Sequence, residues 1–174
     1  MTSSINTKGE FVRVVSTFRN WIDKNGQFPP EANRYHLYVS LACPWAHRTL
    51  IVRKLKKLQD LISVDVVHYH MSGNGWHFDA SQDPDCTEDT VCGKQPYLKN
   101  VYKLASSEFE GRITVPVLFD KKLKTIVSNE SSEIIRMLNS DFDEFCPDEE
   151  SKRLDLYPEN LRREIDSLNE WIYP

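Results

Sequence analysis

Apolar residues along this chain gather into short runs, and the spacing within each run predicts a specific element. Tyr35-His36-Leu37-Tyr38-Val39 has the aromatic and β-branched character and the length of a strand. A helix start follows at once, because Pro44 suits a first helical position, where its missing N–H would lack a partner anyway. From Trp45 to Leu58, the residues Leu50, Ile51, Leu55 and Leu58 recur near the helical period. Arg48, Arg53, Lys54, Lys56 and Lys57 fill much of the remainder and read as a solvated face. Ile62 to Val67 is a second strand, so strand, helix and strand together favour a parallel pair with a helical crossover. Residues 71–93 then lose all periodicity, with Gly73, Gly75, Pro84 and Gly93 marking a long loop. Tyr97 to Ala105 predicts a short helix. Val115–Phe119 and Thr125–Val127, separated by Asp120–Lys124, predict an antiparallel hairpin. Ser128 to Leu138 predicts a closing helix with Ile134, Ile135 and Leu138 on its apolar face.

The order β-α-β, loop, α, β-β-α is that of a thioredoxin-like α/β domain, placed here at 35–140. Residues 1–34 read as an N-terminal extension anchored by Phe11, Val12, Val14, Val15, Phe18, Trp21 and Ile22. Asn25-Gly26 and Pro29-Pro30 break any regular element there. Residues 141–157 read as an acidic linker. Leu161, Ile165, Leu168 and Ile172 then recur at helical spacing, so 158–174 reads as the start of an all-helical C-terminal domain.

Charge narrows the partners. The net charge of −4 lacks the basic excess that a nucleic-acid binder shows on its binding face. No run approaches the roughly 20 apolar residues that span a bilayer, and Met1–Val15 has no apolar core of signal-peptide length. The expectation is a cytoplasmic protein that meets no membrane. Without a secretory signal, Cys43, Cys86, Cys92 and Cys146 are expected as free thiols, the last three incidental.

Cys43 is different because Cys43-Pro44-Trp45-Ala46 lies between a strand and a helix. A thiol at a helix start faces N–H groups and the positive end of the dipole, a setting that favours the thiolate. His47 and Arg48 follow within the first turn and add positive charge. Alanine at 46 leaves no second cysteine for an internal disulfide, so Cys43 forms a mixed disulfide with a partner thiol, for which glutathione is the natural candidate. A buried structural cysteine fits the same pattern. Thr114-Val115-Pro116-Val117 suggests a cis Val-Pro step presenting the Val115 backbone to Cys43, although an edge-strand proline would read alike. Asn129-Glu130-Ser131-Ser132-Glu133 opens a helix, where a serine hydroxyl suits a carboxylate and Glu130 suits an ammonium. Simple helix capping explains it equally. Trp76 could line a ligand site or pack under the loop. His68-x-His70 has no Cys or Asp ligand beside it, so no metal is expected.

Together these stretches resemble the glutathione transferase superfamily, specifically its omega-like Xi class, the S-glutathionyl-hydroquinone reductases. The resemblance rests on Tyr38-Val39-Ser40-Leu41-Ala42-Cys43-Pro44-Trp45-Ala46-His47-Arg48-Thr49, Gly75-Trp76, Gly111–Leu118 and Asn129–Ile135. It implies that Cys43 is the nucleophile. It also implies that Trp76, Arg112, Ile113, Thr114, Val115, Glu130 and Ser131 hold glutathione, which acts as co-substrate without a metal. The implied activity takes glutathione from glutathionyl-hydroquinones, a small-molecule substrate class, through a Cys43–glutathione disulfide. An omega-type thioltransferase or dehydroascorbate reductase, or a truncated non-catalytic glutathione-binding module, are the alternatives. Family members continue into a full helical domain bearing a tyrosine proton donor, a role not carried over to Tyr173, and their full-length form allows a homodimer.

Overall fold

The computed structural model describes residues 15–81 and 83–172. Its sheet has four strands in the order β2-β1-β3-β4, with β1 at Tyr35–Val39, β2 at Ser63–Val66, β3 at Val117–Asp120 and β4 at Thr125–Ser128. β1 pairs in parallel with β2 and antiparallel with β3, whereas β3 and β4 form the expected hairpin. Flanked on both edges, β1 has all five residues buried. Its two tyrosines bring polar tips into the interior, and each finds an acceptor. The Tyr35 hydroxyl donates to the Pro29 carbonyl at 2.7 Å, and that of Tyr38 to the Asp89 carboxylate at 2.8 Å. Asp89 also accepts the N–H groups of Val91, Cys92 and Gln95, so one buried carboxylate organises the end of the long loop.

The parallel β1–β2 pair requires a crossover, and α1, Pro44–Leu55, supplies it. α1 packs against α3, Ser131–Ser140, while α2, Leu98–Ala105, lies against β4. The buried stripe of α1 differs from the one its large apolar residues predict. Ala46, Thr49 and Val52 face inward, whereas Ile51 and Leu55 are exposed. Small side chains at 46 and 49 let the helix approach its neighbours closely, and that approach sets its rotation.

The same rotation buries Lys56, one of the lysines assigned to the solvated face. Its Nζ donates to Asp143 Oδ1 at 2.7 Å and to the carbonyls of Leu154 at 2.8 Å and Lys152 at 3.4 Å. The ammonium therefore ties the segment that follows α3 onto α1. That segment, read as a linker, carries a 3₁₀ turn at Asp143–Phe145 and a short helix, α4, at Glu149–Arg153. Asp148 caps α4, and the Lys57 ammonium beside it holds its carboxyl down to about 2. A turn at Glu159–Leu161 leads into α5, Arg162–Ile172, whose Leu168 and Ile172 are exposed.

At the other end of the chain, residues 16–20 run along β4. Asn20 donates to the Val127 carbonyl, Asn129 N–H donates to Phe18, and Arg19 bridges Ser128. Ile22 is buried, as its role as an anchor requires, whereas Val15 and Trp21 are exposed; Phe11, Val12 and Val14 lie outside the described residues. Among the described residues, no helix is long and apolar enough to cross a membrane.

Replacing Lys56 by alanine leaves two carbonyls and Asp143 without their donor and should cost about 3 kcal/mol of stability, read from urea unfolding. Asp141 caps the C-terminal end of α3, and burial pushes its carboxyl up to about 6 from the ordinary 3.8. A raised carboxyl binds its proton more tightly folded than unfolded, so this group lowers stability as pH rises from about 4 to about 6. Asp141→Asn should accordingly raise the thermal midpoint at pH 7.5 by about 3 °C, with the gain vanishing below about pH 4.

Candidate functional site

The end of β1 delivers the chain to Ser40, whose carbonyl accepts the Cys43 N–H at 3.1 Å. Cys43 is the N-cap of α1, with extended backbone and Pro44 at the first helical position. Its half-buried sulfur points at the Val115 carbonyl, 3.7 Å away. The Val115–Pro116 peptide is cis, as Thr114-Val115-Pro116-Val117 suggested. The Val115 N–H makes no hydrogen bond among the described residues, so one backbone group of the expected pair stays open, while its carbonyl meets the thiol.

A second helix start lies beside the first. Glu130 is the N-cap of α3, and its Oε1 accepts the Ser132 N–H at 3.1 Å and the Ser132 hydroxyl at 2.9 Å. Ser16 donates to Oε2 at 2.9 Å. Glu130 is therefore a true cap as well as a candidate for the ammonium of a ligand, and its carboxylate has lone pairs enough for both.

The residue that links the two helix starts is Arg48. Its Nε and Nη2 donate to Ser131 Oγ at 3.0 and 2.7 Å, and Nη2 lies 3.9 Å from Glu130 Oε1. The guanidinium also sits 5.1 Å from the Trp45 ring centroid. Arg48, expected on a solvated face and in the field around Cys43, reaches across to α3.

Trp76 is half-buried against the core, carried by a tight turn in which Ser72 and Gly75 exchange backbone hydrogen bonds and Gly75 adopts φ 93°. Its carbonyl accepts the Leu98 N–H and so joins the loop to the start of α2. Ile113 and Thr114 are partly buried ahead of β3, and Arg112 is exposed. No hydrogen bond joins Trp76 or Arg112 to Cys43 among the described residues. The structure thus brings Cys43 to Val115, and Arg48 to Ser131 and Glu130, and joins neither Trp76 nor Arg112 to them by a hydrogen bond among the described residues.

The other three thiols are free, and each sits in a hydrogen-bonded setting. Cys86 donates to the Val66 carbonyl at 3.2 Å, Cys146 to the Lys56 carbonyl at 3.4 Å, and Cys92 Sγ lies 3.3 Å from the Tyr38 hydroxyl oxygen. Burial pushes all three thiols up, which keeps them protonated and slow to react. The His68 ring stacks on His77 and Tyr69, with centroids 4.8 and 4.5 Å away. No cluster of three metal-ligating side chains occurs among the described residues.

The family described as glutathione S-transferase, N-terminal domain, matches residues 42–141. Glutathione S-transferase omega-like 2 of Schizosaccharomyces pombe is 54% identical over 95% of this chain and 52% of its own length. The glutathionyl-hydroquinone reductase of Escherichia coli is 52% identical over 97% of this chain and 52% of its own. A glutathione-bound structure of the Escherichia coli protein superposes with a TM-score of 0.84, covering 90% of this chain and 52% of that one. The crystal structure of the glutathione S-transferase Xi from Phanerochaete chrysosporium is 53% identical, with a TM-score of 0.89 over 94% of this chain and 54% of that one. The chain spans about half the length of the relatives it matches. The family model covers more than half of the chain, including the greater part of its thioredoxin-like sheet: the chain belongs to the glutathione S-transferase N-terminal domain family.

Proposed function

We propose that this chain is the glutathione-handling part of an S-glutathionyl-hydroquinone reductase, cytoplasmic and, at full length, dimeric. The observation that carries the reading is Cys43 at the N-cap of α1, 3.7 Å from the Val115 carbonyl, with alanine where an internal disulfide would need a second thiol. In this reading Cys43 attacks the sulfur of a glutathionyl-hydroquinone. A Cys43–glutathione disulfide forms, the carbon–sulfur bond breaks, and the aromatic carbon takes a proton as hydroquinone leaves. The two sulfurs are oxidised and the ring carbon is reduced. A second glutathione then attacks the mixed disulfide and departs as glutathione disulfide, restoring the Cys43 thiol. Cysteine suits this chemistry because its sulfur can accept another thiol covalently.

The glutathione backbone would run extended along Val115, whose N–H and carbonyl offer it one strand partner. Its γ-glutamyl end would lie at the start of α3, with the ammonium at Glu130 and the carboxylate toward Ser131 and Arg112, where the helix dipole favours an anion. Trp76, Ile113 and Thr114 would wall the same groove. Support comes from the relatives named as hydroquinone reductases and from the glutathione-bound Escherichia coli structure.

Intact mass after brief exposure to glutathionyl-menadione, and separately to glutathione disulfide, tests the half-reaction. One glutathione adduct should form on the wild type, be absent from Cys43→Ala, and be removed by free glutathione. An adduct that survives the Cys43 change, or none at all, overturns the reading in favour of a domain without the chemistry. The omega-like name of the fission-yeast relative makes dehydroascorbate the control substrate: turnover of it above that of the glutathionyl-hydroquinone would assign the broader thioltransferase activity instead.

A further inference from the structure

Between the two ends of the proposed groove lies a buried polar knot that joins two of the sequence motifs through Tyr102, a residue in neither. Asn129, 6% exposed, stands immediately before Glu130, at the junction of β4 and α3. Its Nδ2 donates to the Tyr102 hydroxyl at 3.2 Å and to Thr114 Oγ1 at 3.3 Å. Its Oδ1 accepts the Phe18 N–H at 3.2 Å, while its own N–H donates to the Phe18 carbonyl. Tyr102, fully buried on α2, donates its hydroxyl to the Thr114 carbonyl at 2.9 Å and accepts the Thr114 N–H at 3.3 Å. The ring packs against Phe18 and Phe109, with centroids 5.8 and 5.0 Å away, which excludes water from these bonds.

Thr114 precedes Val115, whose carbonyl meets Cys43, and Asn129 precedes Glu130, which caps α3. The bonds through Asn129 and Tyr102 thus join the backbone one residue before each end of the groove. A tripeptide held at both ends requires that span to be set before it binds, because a displacement of about 1 Å can cost a hundredfold in rate. We propose that Asn129 and Tyr102 are positioning residues that set the distance between the thiol-exchange end at Cys43 and Val115 and the γ-glutamyl end at Glu130 and Ser131. This inference rests on the glutathione reading above.

Tyr102→Phe keeps the ring and removes only the hydroxyl; Asn129→Asp keeps the acceptor for Phe18 and loses the donor to Tyr102 and Thr114. Three reagents would be compared on the full chain, with adducts mapped to Cys43. Iodoacetamide alkylates a thiol without a pocket. 2-Hydroxyethyl disulfide exchanges with a thiol but has no γ-glutamyl group. Glutathione disulfide needs both ends; its exchange forms the Cys43–glutathione bond and releases one glutathione thiolate. The expected result is a loss of about tenfold to a hundredfold in the rate with glutathione disulfide in both variants, with the other two rates within about twofold of wild type. Equal losses with all three reagents, or no loss with any, overturn the positioning role. A wild type that reacts with both small reagents and fails with glutathione disulfide overturns the glutathione reading itself, and the positioning role falls with it.

Discussion

A strand hydrogen-bonded along both edges is the constraint on which the rest of this structure depends. β1 is parallel to β2, and a parallel pair can be closed only by a crossover that leaves from the strand's C-terminal end. That requirement places the start of α1 just beyond the rim of the sheet and Cys43 at its N-cap. β3 lies antiparallel along the other edge of β1, so the residues entering β3 reach the same rim. Cys43 and Val115 therefore meet because two strands flank one, although 72 residues separate them in the chain.

The site is built from helix starts rather than from a cluster of catalytic side chains. α1 and α3 both begin at this end of the domain, each with a polar N-cap, and N–H groups at a helix start favour a thiolate or a carboxylate. Placing two such starts together concentrates that preference, and Arg48 ties them by reaching from one to the hydroxyl that opens the other. Glu130 gains rigidity from its capping bonds to Ser132 and from the Ser16 hydroxyl on its other oxygen.

Buried polar groups do most of the joining outside the core. Lys56 holds the segment after α3, Asp89 the long loop, and Asn129 with Tyr102 the residues that lead into β3. The Arg34–Asp120 pair does the same at the hairpin, where Asp120 also accepts the N–H groups of Lys122 and Leu123. Each collects several partners, at least one from a distant segment, as a buried charge or amide must if its desolvation is to be offset.

The order of elements could be read directly from the chain, because period-two and period-3.6 patterns, proline and glycine are local signals. Cys43-Pro44, Val115-Pro116 and the cap at Glu130 were legible for the same reason: each is a short-range preference of the backbone. The tertiary structure alone decided which residues the helices bury. Large apolar side chains at 51 and 55 pointed to one face of α1, yet close approach selected the small residues at 46 and 49 and carried Lys56 inward. It also turned Arg48 toward α3 and tied Asn129 to Tyr102 and Thr114, pairings between positions too far apart for any periodicity to register. Local preference is written into neighbouring residues, whereas burial and buried hydrogen bonds depend on what the rest of the chain brings alongside.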